Sequence, residues 1–197
     1  MLSILIPTTV KRVGTYCPDL VRYINNQIVA CGAEKRIDLF WLGDNYNMTV
    51  GEKRNKLLGL ANRKYLVFID DDDCVDKDYV KEIMKATMKT DSDVIVFDCI
   101  TRADGKNRTL SKYGKDFFPY QQYVDDKGER QWRGLVAHTM VWKTEIAKRH
   151  MFPEKNYEED IEWAKKANAD ISTEYRIEKV LYFYRFNSQV SETRYGQ

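Results

Sequence analysis

Four carboxylates stand in an unbroken run, Asp70 to Asp73. Adjacent anions repel, so the run needs a physical reason. It follows Tyr65 to Ile69, a strand-forming stretch too short for a typical helix. The C-terminal end of a buried strand is where open α/β sheets bind ligands. Oxygen ligands packed this closely there suit a hard divalent cation, one that also holds phosphates. The same run also reads as a solvated acidic turn that caps the next helix, because Asp is common at helix starts. An EF-hand does not fit. Counting from Asp70, Val75 occupies the position that needs Gly and Lys81 the one that needs Glu.

Two other groups carry chemistry. Lys53, Arg54 and Asn55 fall in the first turn of an expected helix, Gly51 to Ala61. Cations there oppose the helix dipole, a local cost that a nearby anion would offset, and a helix N-terminus is itself a phosphate site. Ordinary surface charge is the other reading. Glu158, Glu159 and Asp160 open a second helix, where acids are favourable.

The elements that position these groups follow from periodicity. Leu2 to Ile6 is expected as a buried strand ended by Pro7, and Thr8 to Cys17 as a polar, basic loop. Pro18 suits the first position of a helix that Gly32 stops. Arg36 to Leu42 is expected as the second strand, with Gly43, Asp44 and Asn45 as a turn. After the acidic run, a helix over Lys77 to Lys89 leads to a strand over Asp93 to Ile100. Alternating strands and helices predict an α/β unit with a mainly parallel sheet. The second half is less regular. Thr101 to Gly134 is expected to be an irregular excursion with a short hairpin. Leu135 to Trp142 is expected as a strand that includes His138, more readily a satisfied core histidine than a ligand. Thr144 is expected to cap a short helix. Ile171 to Phe186 is expected as two strands, and Asn187 to Gln197 as a polar tail.

In this order the chain resembles a family 2 glycosyltransferase of the GT-A fold. Ser3 to Thr8 is similar to the family's opening strand and nucleotide loop. Gly51-Glu52-Lys53-Arg54-Asn55 resembles its G-x-x-R-N helix start. Tyr65 to Asp73 resembles its Y-x-x-F-x-D-x-D-D strand, with Asp70, Asp71 and Asp72 as the DxD motif. Glu159-Asp160 resembles its E-D pair, and Tyr184 to Ser191 its closing Y-R-x-x-x-x-x-S segment. The resemblance implies a Rossmann-like, mostly parallel mixed sheet with helices on both faces, in a single domain over 1–197. Residues 1–100 would bind the nucleotide and 101–197 the acceptor.

It further implies a nucleotide-sugar donor (a UDP-sugar), a divalent cation (Mn2+ or Mg2+) and inverting transfer of one sugar to a hydroxyl acceptor. Asp72 would be the direct metal ligand, with Asp70 supporting metal or nucleotide. Asp160 would be the general base, and Glu159 would position the acceptor or the helix. Pro7, Thr8, Thr9, Asp44, Arg54, Asp71, Arg185 and Ser191 would meet the donor. Trp132 would contact donor sugar or acceptor, or belong to the core. The Q-x-x-R-W motif of processive synthases is missing after Glu159-Asp160, because Gln131-Trp132-Arg133 precedes that pair in the wrong order.

Composition sets the remaining bounds. The chain has 197 residues, 43% hydrophobic and 31% charged, and a net charge of +2. These values describe a globular protein with a real core and no global field that demands nucleic acid or membrane. Four scattered cysteines without a CxxC pair argue against a zinc ribbon. With no bilayer-length apolar run and strand-like residues from Leu2, a soluble cytoplasmic protein is expected. The acceptor is open between a glycan and modified DNA. The basic residues Lys106, Arg108, Lys112, Lys115, Arg130 and Arg133 would suit the latter, but their charge is weak and a solvated loop explains it as well. A catalytically inactive relative that binds sugar nucleotide or glycan is the remaining alternative.

Overall fold

The structure is a computed structural model that describes residues 1–103, 106–118 and 120–186. In chain order the elements are β1 (Leu2–Thr9), α1 (Val10–Val13), α2 (Tyr16–Ala30), β2 (Ile37–Asp44), α3 (Val50–Leu60), β3 (Tyr65–Phe68), β4 (Cys74–Val75), α4 (Tyr79–Lys89), β5 (Val94–Ala103), β6 (Lys106–Tyr113), β7 (Gln121–Val124), β8 (Arg130–Gly134), β9 (Val141–Lys143), α5 (Thr144–Ala147), α6 (Glu159–Asn168) and β10 (Glu174–Phe186). β1 pairs in parallel with β2 and β3. β9 runs antiparallel between β3 and β5, and β10 lies parallel along the other edge of β5. The result is a mixed α/β fold with an open, largely parallel sheet flanked by helices.

All eight residues of β1 are buried, as expected for a strand covered on both faces. The strand does not stop at Pro7. Leu5 offers its carbonyl to Ile69, so Pro7, two residues on, also faces the β3 side. There β3 has already ended, its last pair being Leu5 with Phe68. The missing N–H of Pro7 therefore breaks no ladder bond. The expected loop after it holds α1, and α2 starts two residues before Pro18.

The second half departs further from expectation. The stretch from Thr101 to Gly134 is mostly sheet: β5 runs on to Ala103, and β6, β8 and β7 follow in a row. Leu135 to Met140 is not strand, although Val136 and Met140 are buried. Burial there comes from a loop packed under α6. Thr144 begins α5 but does not cap it. Ile171 to Phe186 holds one strand, β10, with register shifts against β5 between Ile177 and Tyr182. An aromatic cluster ties α6 to the sheet. Phe152 stacks on Trp163 at 4.7 Å, Trp163 meets Trp142 at 4.9 Å, and Phe68 meets Phe152 at 5.4 Å. No helix among the described residues is long and apolar enough to cross a membrane.

Candidate functional site

The acidic run leaves β3 at its C-terminal end, and each carboxylate takes a different environment. Asp70 receives Arg54 Nη2 at 2.8 Å on one oxygen and faces His138 Nε2 at 3.3 Å on the other. Asp71 is buried and accepts from Thr8 Oγ1 at 2.5 Å and Arg12 Nη1 at 2.8 Å. Among the described residues Asp72 meets one cation, Arg12 Nη2, at 3.2 Å. Asp73 is buried against Tyr182 Oη at 2.6 Å and the Arg185 backbone N–H at 2.9 Å. A solvated helix-capping turn does not describe this run, since Asp71 and Asp73 are each 3% exposed.

The electrostatics follow from these partners. Burial pushes the Asp70 carboxyl up, but the charges of Arg54 and His138 outweigh it and hold it well below the usual carboxylate range. Burial raises Asp72 to about 6; Arg12 opposes the rise, and Asp70 and Asp71 add to it. Asp73 is raised by burial and by its like-charged neighbours.

The first-turn cations of α3 are not aimed at solvent. A capping box between Thr49 and Glu52 starts the helix. Lys53 Nζ reaches the Thr8 carbonyl at 3.0 Å and Asp44 at 2.8 Å. Arg54 is 4% exposed and spans two acids, with Nε on Glu159 at 3.1 Å and Nη2 on Asp70. The anions that offset their position are the protein's own carboxylates. Asn55 exchanges two hydrogen bonds with the Phe152 backbone. The helix is thereby clamped to the segment that leads into α6.

Gly51 completes this clamp, and sequence reading gave it no role beyond the motif. Its N–H donates to the Lys155 carbonyl at 3.1 Å, and a Cβ there would lie 1.8 Å from the Pro153 carbonyl oxygen. Gly51→Ala is expected to force the 153–155 backbone away and cost about 1–3 kcal/mol, the scale of overpacking. Thermal melting of the variant checks this; an unchanged midpoint would mean that the loop yields freely.

His138 is the residue that sequence reasoning misplaced. It sits in the loop before β9, not in a strand, and its ring lies between two acids. Nε2 faces Asp70 and Nδ1 faces Asp160, each at 3.3 Å. Burial and Arg54 push its pKa down, but Asp70 and Asp160 outweigh them and hold it at about 9. The imidazolium therefore bridges the strand-end acid and the helix-start acid. Its loop is pinned on both sides: Trp142 Nε1 donates to the Ala137 carbonyl at 2.9 Å, and Asn168 exchanges bonds with the Val136 backbone. A lone histidine in an apolar stretch carries no local signal of this role.

Asp160 retains about a third of its side-chain exposure (34%), while Glu159 is 4% exposed beneath it. Burial raises the Asp160 carboxyl, yet the hydrogen bond and charge of His138, with Arg54, bring it below its ordinary value. It is ionised at neutral pH.

The sequence candidates thus divide. Thr8, Arg54, Asp70, Asp71, Asp72, Glu159 and Asp160 converge. Thr9, paired with Asp44 across β1 and β2, has a buried hydroxyl with no hydrogen-bond partner among the described residues, as does Arg54 Nη1. Pro7 is buried in β1. The Asp44 side chain is 5% exposed and is held by Lys53 and by the Met48 N–H at 2.7 Å. Arg185 meets Asp73 through its backbone, with its side chain exposed. Trp132 stands apart on β8, 5.6 Å from the ring of Tyr120. Ser191 and Asn187 lie outside the described residues.

The sequence profile of glycosyl transferase family 2 matches residues 20–154. The chain belongs to that family. The match takes in the α3 motif and the acidic run, whereas β1 precedes it and Glu159 and Asp160 follow it. The fold agrees. S. aureus TarS 1–349 superposes with a TM-score of 0.61 at 19% identity, over 93% of this chain and 60% of that one. Its complex with UDP-GlcNAc gives 0.59 at 18%, over 100% and 59%. HddC from Yersinia pseudotuberculosis gives 0.51 at 11%, over 92% of both chains. At such identities the likeness is one of fold, and this chain spans less than two thirds of the TarS chains. A search of curated proteins returned no match.

Proposed function

We propose that this family 2 chain is a glycosyltransferase that moves one sugar from a nucleotide-sugar donor, a UDP-sugar, to a hydroxyl acceptor with inversion. The carrying observation is the bridge Asp70–His138–Asp160, reinforced by Arg54 between Asp70 and Glu159. It sets an acid at the strand end, where diphosphates are held in this type of sheet, beside an acid that stays ionised and partly open. TarS, a structural neighbour of this chain, is described in complex with UDP-GlcNAc and with UDP, which supports a uridine nucleotide as donor.

The residues fit a divalent cation. Asp72 is half-buried among like charges with the Arg12 guanidinium as its counter-charge among the described residues, and its carboxyl is raised to about 6. A hard cation with oxygen ligands relieves that repulsion, and Mg2+ or Mn2+ sites of this kind use one or two carboxylates plus phosphate oxygens. Among the described residues no three acidic, histidine or cysteine side chains form a ready cage. Asp72 would hold it, with Asp70 in a supporting place because both Asp70 oxygens already have partners. When bound, the cation neutralises charge on the departing nucleoside diphosphate.

The chain's own residues supply the rest. Asp160 accepts the proton of the acceptor hydroxyl as its oxygen bonds to the anomeric carbon. The bond from that carbon to the diphosphate oxygen breaks, and the electron pair leaves on the diphosphate. His138 orients the Asp160 carboxylate and keeps it charged. Residues 1–100 supply most of the nucleotide site and 101–197 the base Asp160 that meets the acceptor hydroxyl, as one domain.

Asp72→Ala tests the reading. Calorimetry with UDP-sugar and Mn2+ is expected to show loss of metal-dependent donor binding, about tenfold or more, in a variant whose circular dichroism matches wild type. Unchanged donor affinity with Mn2+ present would sink the metal assignment.

A further inference from the structure

Three arginines stand in one row across three neighbouring strands. Arg185 on β10 is in register with Arg102 on β5, and Arg102 with Arg108 on β6. Residues in direct register share a sheet face, so all three guanidinium groups project from the same side. At the ordinary strand spacing the row is about 10 Å long. Like charges directly opposite one another destabilise a sheet. The next rows back on the same face carry no such cost. Ile100 registers with Leu110 and Phe183, and beyond them Asp98 binds Arg176 at 3.3 Å and lies 3.7 Å from Lys112. The three arginine side chains are exposed, and no carboxylate among the described residues pairs with them.

The row borders a cleft of about 620 Å³ that Arg102 and Arg185 share with Asp73, Phe183 and two tyrosines of α2. Tyr16 and Tyr23 are seven residues apart on one helix face, and they are 43% and 40% exposed. Of the cleft's acids, Asp19 pairs with Arg22 at 2.7 Å, Asp71 and Asp72 share the single guanidinium of Arg12, and Asp73 is held by Tyr182. One wall offers flat aromatic rings, and the floor offers the exposed guanidinium groups of Arg102 and Arg185, which lead toward Asp73. Aromatic platforms beside a cationic track are how proteins hold single-stranded nucleic acid. Two adjacent phosphates of a nucleoside diphosphate would not span the row.

We propose that this cleft binds a single strand of nucleic acid, with its phosphates along Arg185, Arg102 and Arg108 and its bases on Tyr16 and Tyr23, and that the strand carries the acceptor hydroxyl to the site. The acceptor role rests on the transferase reading; the binding does not. Of the basic residues the sequence pointed to, Arg108 joins this row and others are engaged elsewhere. Lys112 is drawn to Asp98, Lys115 pairs with Asp116, and Arg133 lies over the Tyr123 ring at 3.6 Å.

The test uses a fluorescein-labelled 20-nucleotide single-stranded DNA, followed by anisotropy between 50 and 200 mM salt without donor. Arg102→Glu with Arg108→Glu is expected to weaken binding at least tenfold and to flatten the log–log salt slope by about 1.4, near 0.7 for each phosphate that is no longer neutralised. Tyr16→Ala with Tyr23→Ala is expected to weaken it by about tenfold or more. Arg102→Gln with Arg108→Gln, a milder exposed change, guards against misfolding and should show the same direction. UDP-sugar affinity, measured by calorimetry on the arginine variants, is expected to match wild type. Unchanged oligonucleotide affinity in the arginine variants overturns the proposal. So does a loss confined to the arginine variants with inorganic polyphosphate competing equally, because that marks a general anion surface. Should the wild-type chain bind the oligonucleotide through these residues but no UDP-sugar, the transferase reading falls and the binding surface stands.

Discussion

Asp160→Asn is expected to leave donor affinity within a few-fold of wild type while transfer falls by about 10²–10⁴, the usual scale for loss of a general base. Asn keeps the size of the side chain and still accepts from His138 Nδ1, which lies 3.3 Å from the present carboxylate. What disappears is the proton acceptor. A base acts in the transition state and contributes little to holding the donor, so binding and turnover should separate. The lowered pKa of Asp160 makes it a weak base in the ground state. It is matched to a proton given up late, once the acceptor oxygen has begun to bond to carbon and become acidic. Glu159→Gln should act differently. Glu159 is 4% exposed beneath Arg54, so its substitution should lower stability more than it lowers turnover. Donor affinity by calorimetry and product formation with any competent acceptor decide the matter. Wild-type transfer by Asp160→Asn would place the base elsewhere. Loss of donor binding instead would assign Asp160 to the nucleotide.

Arg54→Met is expected to be among the most destabilising single changes in the chain. The guanidinium is 4% exposed, bonded to Asp70 and Glu159, and lies 5.5 Å from the Phe68 ring centroid and 5.8 Å from that of Phe152. Met keeps much of the apolar contact but leaves two carboxylates facing each other across a largely dry site. Removing one partner of a buried ion pair typically costs about 3–5 kcal/mol. For a chain of this size that is a fall in melting temperature of roughly 10 °C. Combining Arg54→Met with Glu159→Gln should recover part of the loss, because the two side chains are directly coupled. Arg54→Lys should recover little, since one ammonium does not reproduce a fork that meets both acids. A melting temperature within a degree or two of wild type for Arg54→Met would show that the acids relax into solvent and that Arg54 is not the keystone between α3, β3 and α6.

Much of the first half was legible because its signals are local. An apolar run of strand length, a capping residue and an acid at a strand end are all set within a few residues. The strand over Tyr65–Phe68, the helix over Val50–Leu60 and the position of Asp70 to Asp73 accordingly fall close to where periodicity places them. The stretch from Thr101 to Gly134 was not legible. The four residues of β7 are all exposed and offer no alternation to detect. The strand exists because β8 supplies its hydrogen bonds, and β-propensity is mostly a statement about such neighbours. The single long β10 was hidden for a related reason, since its register shifts against β5 break the period on which a sequence reading depends.

The candidate site divides along the same line. Residue types and spacing determined the four acids at the strand end, the cations at the start of α3 and the acids at the start of α6. Only the tertiary structure decided what each one faces. Arg54 is buried between two carboxylates rather than open to a ligand. Asp72, not Asp70, is the acid left short of counter-charge. His138 comes to rest between Asp70, 68 residues before it in the chain, and Asp160. A helix start or a strand end is written in backbone sterics over one or two turns. A contact over 68 residues depends on sheet order and on loop anchoring by Trp142 and Asn168, which no window of sequence contains.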